Sequence, residues 1–178
     1  MNNIYPIRRG SVRWLTTTAV FMSMNILLSL SIFSIPVPGG HLYFNDAVID
    51  TAAILLDPVS AFIVGGIGSF LGDFFFYPAP MFVSLVTHGL QAVIVSWISH
   101  RFLRNKPAVS SSAAVTIGAV IMVLGYTAGR AYVYSTPEYA VLKLPFQILQ
   151  AGFGATISVL LLYPLRIRSV FSRVLLSR

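Results

Sequence analysis

Arg101-Phe-Leu-Arg104-Asn-Lys106 gathers three positive charges in six residues, between two long apolar stretches. Working outward, Arg8, Arg9 and Arg13 open the chain, and Arg166, Arg168, Arg173 and Arg178 close it. Of the twelve Lys and Arg residues, only Arg130, inside an apolar stretch, and Lys143, beside a connection, stand apart. Cytoplasmic loops of membrane proteins retain Lys and Arg, so this spacing maps a topology. An even number of crossings must separate each cluster from the next. The expectation is an all-α integral protein of the cell membrane with both termini cytoplasmic.

Composition agrees. The chain is 56% hydrophobic and 10% charged, with a mean hydropathy of +0.81, whereas a soluble domain carries about a quarter charged residues. The net charge of +7 sits at the edges of apolar stretches rather than on one polar face, which argues against a nucleic-acid partner. Orientation in the bilayer, with attraction to anionic lipid, accounts for it. Without Cys there are no disulfides, zinc–thiolate sites or iron–sulfur clusters. The first apolar stretch is too long for a signal-peptide core and lacks a small-residue cleavage site, so it is expected to stay in the membrane. One transmembrane domain over 1–178 is expected.

A spanning helix needs about 20 apolar residues. The pattern predicts six, over 14–35, 44–56, 58–76, 81–100, 113–134 and 144–165. Pro36-Val-Pro-Gly-Gly40 ends the first. The second is short, and must tilt, extend or sit partly in protein. Asp57-Pro58 gives a capping carboxylate and a proline at the first helical position of the third. Loops 36–43, 77–80 and 135–143 fall outside, carrying only Lys143 among Lys and Arg.

Depth then follows by counting. Asp73, His88, Gln91, Tyr126, Arg130, Tyr134, Gln147 and Gln150 all fall in the outer halves of helices three to six, and Asn45, Asp46 and Asp50 in the outer half of the second. Ionisable groups in a span cost roughly 2.5–3.5 kcal/mol each at mid-helix. Several at one level predict an outward-facing polar pocket for a small polar, aromatic molecule, with Phe74, Phe75, Phe76 and Tyr77 as walls or stacking surfaces. Blander readings stand beside this one. Arg130 pairs with Asp73 or Glu138, or snorkels outward; Asp73 and His88 serve as interhelical hydrogen-bonding groups; Gln147 and Gln150 join helices; the tyrosines belong to an interfacial belt. Asp46 reads as a capping or loop residue, and Asp50 has no assigned role. A single His without a close His or Glu partner is poor grounds for a metal.

Small residues repeat every four positions at Ala61, Gly65 and Ser69, with shorter patches at Ala19/Ser23, Gly125/Gly129 and Ala151/Ala155. Such faces let helices approach closely in lipid. Internal packing explains them, and Ala19/Ser23 with Ala61/Gly65 also suit a second membrane subunit. No phosphate loop, H-E-x-x-H or G-x-S-x-G motif is present, so neither an ATPase of that type nor a familiar hydrolase is indicated. No cofactor and no enzyme activity are expected.

Tyr43-Phe-Asn-Asp-Ala-Val through Leu55-Leu-Asp-Pro58, then Gly65-Gly-Ile-Gly-Ser-Phe-Leu-Gly-Asp73 and Thr87-His-Gly-Leu-Gln91, resemble S components, the substrate-binding subunits of energy-coupling factor (ECF) vitamin transporters. The likeness is strongest to the branch associated with hydroxymethylpyrimidine, a thiamine precursor, or pyridoxine. It implies a six-helix bundle that captures a vitamin outside, docks on a transmembrane coupling subunit bearing two ATP-binding cassette ATPases, and reorients to release it. It also implies a gating loop, here Gly39, Gly40 and His41, and an A-x-x-x-A docking patch, which reads Ala19-Val-Phe-Met-Ser23 in this chain. A pantothenate-type vitamin held by Arg130, a six-helix scaffold of the cell-shape type and a small membrane enzyme are the alternatives.

Overall fold

Ser11 opens the first helix, its hydroxyl accepting the Trp14 amide at 3.2 Å, and α1 runs over Val12–Leu28. A computed structural model describes residues 7–103 and 105–176; Arg104 and Arg178 of the basic clusters lie outside the described residues. The expected first span reaches residue 35, but the helix stops at Leu28. A 3-10 turn at Ser31–Phe33 follows, and then an antiparallel hairpin of β1 (Ile35–Val37) and β2 (Gly40–Leu42). The cause is local. Pro36 disfavours helical backbone at the residue before it, and its missing N–H is tolerable on a two-stranded edge, where it faces His41. Gly39 and Gly40, at φ +80° and +146°, make the turn that other residues would adopt only with strain.

α2 (Asn45–Leu55) rises only about 16 Å at 1.5 Å per residue, far short of the hydrocarbon thickness. Every residue of it except Val48 is buried, so it sits wrapped in protein rather than against lipid. Asp57 then caps α3 (Pro58–Phe76), accepting the Val59 amide at 3.1 Å ahead of Pro58. A π turn over Ile63–Ile67 interrupts α3 at its paired glycines. Next come α4 (Met81–Arg101), α5 (Pro107–Tyr134, ending in a π turn over Arg130–Tyr134) and α6 (Pro137–Leu162).

α3 to α6 are the four helices among the described residues that are long and apolar enough to cross a membrane; α1 is apolar but shorter. α5 and α6 begin at Pro107 and Pro137, earlier than the expected 113 and 144, because proline suits the first helical position and their polar first turns do not stop a helix. α6 ends at Leu162, not 165. Beyond it the chain turns at Arg166, with φ +56°, into a short helix the apolar pattern did not anticipate, α7 (Ile167–Leu176).

The core gathers around α2: Ile49, Ala52 and Ala53 meet Val64 of α3, Ala92 and Val95 of α4 and Ala114 of α5. Close backbone approach holds it together. A Cβ at Gly65 would lie 2.8 Å from Ala92 Cβ and from the His88 carbonyl, and one at Gly154 would lie 2.4 Å from Asp46 Cβ. Ala61 and Gly65 are therefore turned inward, and Ala61 has no exposed surface. That corrects their expected use as a partner-docking patch. Ala19 and Ser23, by contrast, are exposed on α1.

At the end of the molecule holding residues 9 and 57, three side chains converge on Asp57. Arg9 Nε and Trp14 Nε1 donate to it at 2.6 and 2.7 Å, and the Ser60 hydroxyl at 2.8 Å. They tie the start of α1 to the α2–α3 corner. The hairpin lies against α5 and α6, whose Arg130 and Lys143 donate to its carbonyls.

Candidate functional site

Helical spacing aims polar side chains from four helices at one hollow. α3 supplies Asp73, α4 supplies His88, α5 supplies Tyr126, Arg130 and Tyr134, and α6 supplies Lys143, Gln147 and Gln150. Tyr126 and Arg130 are one turn apart, and the π turn that starts at Arg130 resets the helix where it meets the hairpin. Gly40, His41, Tyr43 and Asn45 cover the hollow from the hairpin and the start of α2. The cavity is about 40 Å³, room for a few waters and not for a vitamin. Every lining residue except Gly40 and Pro80 carries a hydrogen-bonding side chain.

Two networks order the floor. In the first, the Tyr126 hydroxyl donates to Ser84 Oγ at 2.6 Å, and Ser84 donates to Asp73 Oδ2. The Tyr126 and His88 rings meet edge to face at 5.1 Å. The second runs from the backbone into the core. The Tyr43 amide donates to Gln150 Oε1 at 3.1 Å, and Gln150 Nε2 donates to Asp46 Oδ2 at 2.7 Å. Gln91 Nε2 then bridges Asp46 Oδ1 at 3.3 Å and Asp50 Oδ1 at 3.1 Å. With both amide hydrogens engaged, Gln91 Oε1 accepts from His88 Nδ1 at 2.8 Å, which puts a proton on that nitrogen. Burial, then the Asp73 carboxylate, pushes the Tyr43 phenol up to about 12, so it stays neutral at the rim.

Four buried polar atoms in this lining have no hydrogen-bond partner among the described residues: His41 Nδ1, Asn45 Oδ1, Arg130 Nε and the Tyr134 hydroxyl. An unmet buried group costs about 1–3 kcal/mol, and native proteins keep few. Four in one small hollow leave donors and acceptors there that water or another molecule can meet.

Of the eight side chains expected to meet here, Asp73, His88, Tyr126, Arg130, Tyr134, Gln147 and Gln150 line the cavity. Gln91 does not; it lies one layer behind, positioning His88. Gly40 and His41 of the expected gating loop line it too, while Gly39 packs on the Tyr139 carbonyl and Lys143. Arg130 makes neither expected ion pair. Its guanidinium donates to the Gly39 carbonyl and lies 5.2 Å from the Tyr134 ring centre. The aromatic wall was misplaced: Phe74, Phe75 and Phe76 are exposed on the outside of the bundle, and Tyr77 alone of that run reaches the site. Among the described residues no group of three or more His, Asp or Glu could hold a metal.

Asn45, expected at this depth, lines the hollow, and so do Lys143 and Tyr43, which the sequence pattern does not single out; Asp46 and Asp50 anchor the network behind them. One signal was available. Lys143, Gln147 and Gln150 share a helical face, visible once α6 starts at Pro137. Asp46 and Asp50 are likewise one turn apart.

A family model described as ECF-type riboflavin transporter, S component, matches residues 9–167. The chain belongs to this family. The S component is accordingly a membrane-embedded substrate-binding subunit of an ECF-type vitamin transporter, and its role is transport rather than catalysis. Membership displaces the cell-shape scaffold and the membrane enzyme. A relative from Pyrococcus woesei, described as an uncharacterized protein in gap 3'region, is 33% identical over 134 residues. That match covers 74% of this S component and 88% of the relative.

Proposed function

We propose that this S component captures a small vitamin or vitamin precursor built on one heteroaromatic ring, of the hydroxymethylpyrimidine or pyridoxine type. The observation that carries this is the convergence of four unpartnered buried polar atoms in one polar hollow. A ring bearing hydroxyl, amino and ring-nitrogen groups offers both donors and acceptors to them, and the lining aromatics are Tyr and His rather than Phe or Trp. The likeness of residues 43–91 to the hydroxymethylpyrimidine and pyridoxine branch supports the same choice. Because the hollow is so small, entry requires the hairpin to lift from Arg130 and Lys143. A flavin is the second reading, favoured by the family's description; its three fused rings demand a larger opening.

The test is calorimetry on detergent-purified protein without ATP, titrating hydroxymethylpyrimidine, pyridoxine and riboflavin. One of them is expected to bind tightly. Arg130→Ala and Gln150→Ala should each weaken that binding by about tenfold or more, as loss of a charged or buried hydrogen bond does. Unchanged affinity in both variants would remove the pocket from the function.

In this reading the chain passes the membrane six times, the short α2 doing so inside its neighbours, the hairpin end faces outside, and both termini are cytoplasmic; reporter fusions at residue 106 should read cytoplasmic and at residue 140 external. Energy comes from a coupling subunit with two ATPases, which α1 meets through its exposed Ala19 and Ser23. Ala19→Trp should abolish co-purification with that subunit while vitamin binding persists. Assembly at the wild-type level would refute this docking face.

A further inference from the structure

Arg130 and Lys143 are 8% and 3% exposed, and both line the hollow. They arrive from different helices, α5 and α6, and close on the same hairpin turn. Arg130 donates to the Gly39 carbonyl, and Lys143 Nζ donates to the His41 carbonyl at 2.5 Å. Neither has a carboxylate within ion-pair distance among the described residues. Asp73 accepts from Ser84, and Asp46 from Gln91 and Gln150.

A buried cation whose hydrogen bond goes to a neutral carbonyl recovers only part of its lost hydration, and two such cations at one turn also repel each other. An anion placed between them answers both deficits. Arg130 is already arranged for it: Nη1 holds Gly39, while the buried Nε has no partner among the described residues. The Nε edge of a guanidinium takes a carboxylate or phosphate side-on. The Tyr134 hydroxyl, whose ring lies beneath the same guanidinium, is also unpartnered.

We propose that the captured molecule carries an acidic substituent, a carboxylate or a phosphate ester, seated between Arg130 and Lys143 under the hairpin. The opposite end of the ligand presents its donors to Asp73 and His88. This deepens the reading that the hollow captures a ring-bearing vitamin and rests on it, and it selects an acid-bearing form of that ring over the neutral parents. It also couples occupancy to the hairpin, since the anion engages the two side chains that hold the Gly39 and His41 carbonyls.

Matched ligands test it on the full-length protein in detergent. Pyridoxine is compared with pyridoxine 5'-phosphate and with 4-pyridoxic acid, and riboflavin with flavin mononucleotide. At least one acid-bearing member is expected to bind about tenfold or more tighter than its neutral parent. Phosphate and carboxylate are told apart by which arm shows the gain. Arg130→Gln and Lys143→Gln should each pull that ratio toward one. The wild-type comparison decides the matter even where a variant fails to fold. Neutral parents that bind as tightly as their acidic partners overturn the anion assignment and leave the capture reading standing. Binding by none of the five also overturns it, and if hydroxymethylpyrimidine fails to bind as well, the capture reading falls with it.

Discussion

Replacing Gln91 by leucine is expected to lower the unfolding free energy by about 3 kcal/mol or more. Gln91 is buried, and its amide serves three groups: Asp46 and Asp50 on α2, and His88 one turn away on α4. Asp46 keeps Gln150 as a partner, but Asp50 has no other hydrogen bond among the described residues. Leucine fills the volume and strands a carboxyl in a place without water, the situation in which buried polar groups cost most. The same change frees the His88 ring, so ligand capture should fall together with stability. Adding Asp50→Leu to Gln91→Leu should recover part of the loss, because removing both partners costs far less than removing one. Unfolding in detergent followed by circular dichroism reads both. A Gln91→Leu protein within about 0.5 kcal/mol of wild type would mean that this bridge does not hold α2 to α4.

Asp57→Ala should be nearly as damaging, by about 3 kcal/mol. It removes a helix cap, worth about 1 kcal/mol, and leaves the Trp14 indole N–H and the Ser60 hydroxyl without their acceptor. The Arg9 contribution is smaller, since that side chain is about half exposed and salt screens it. Burial by itself would raise the Asp57 pKa. Hydrogen bonds from Trp14, Ser60 and Arg9, with the Arg9 charge, outweigh burial and hold the carboxyl below its ordinary value. A lowered folded-state value means that the unfolded chain takes up the proton first as pH falls. The stabilisation is therefore complete above the ordinary carboxylate range, near pH 4, and is lost as pH drops through the lowered value. Wild-type melting temperature should decline over that acidic interval, and that of Asp57→Ala should change less. Parallel profiles would show that Asp57 carries none of the acid sensitivity.

What the sequence made legible was whatever one-dimensional chemistry determines. The Asp57-Pro58 corner formed as expected because cap and proline act within one turn. Seven of the eight pocket side chains converged because depth along a helix is set by counting residues. The failures share a cause, since hydropathy says that a residue avoids water and nothing about what it meets instead. Residues 29–35 are apolar enough to extend α1, yet they leave the helix for a turn and a strand ahead of Pro36. Phe74, Phe75 and Phe76 are consecutive, so a helix spreads them over an arc too wide for one pocket. The four-residue repeat at Ala61 and Gly65 announced close packing without saying whether the neighbour was α4 or another protein. Lys143 reads as a loop charge only if the last span starts at 144; the helix begins at Pro137 and carries it inward.

The hairpin is pinned by Arg130 and Lys143 through the peptide oxygens of Gly39 and His41. A clasp of that kind ignores the identity of the residues it grips. Substitutions in its strands that keep their length and the two glycines should leave the latch closed so long as the basic pair above is kept. A cap transplanted from a divergent relative should therefore still latch, and kinship in this strip would be invisible to residue-by-residue comparison.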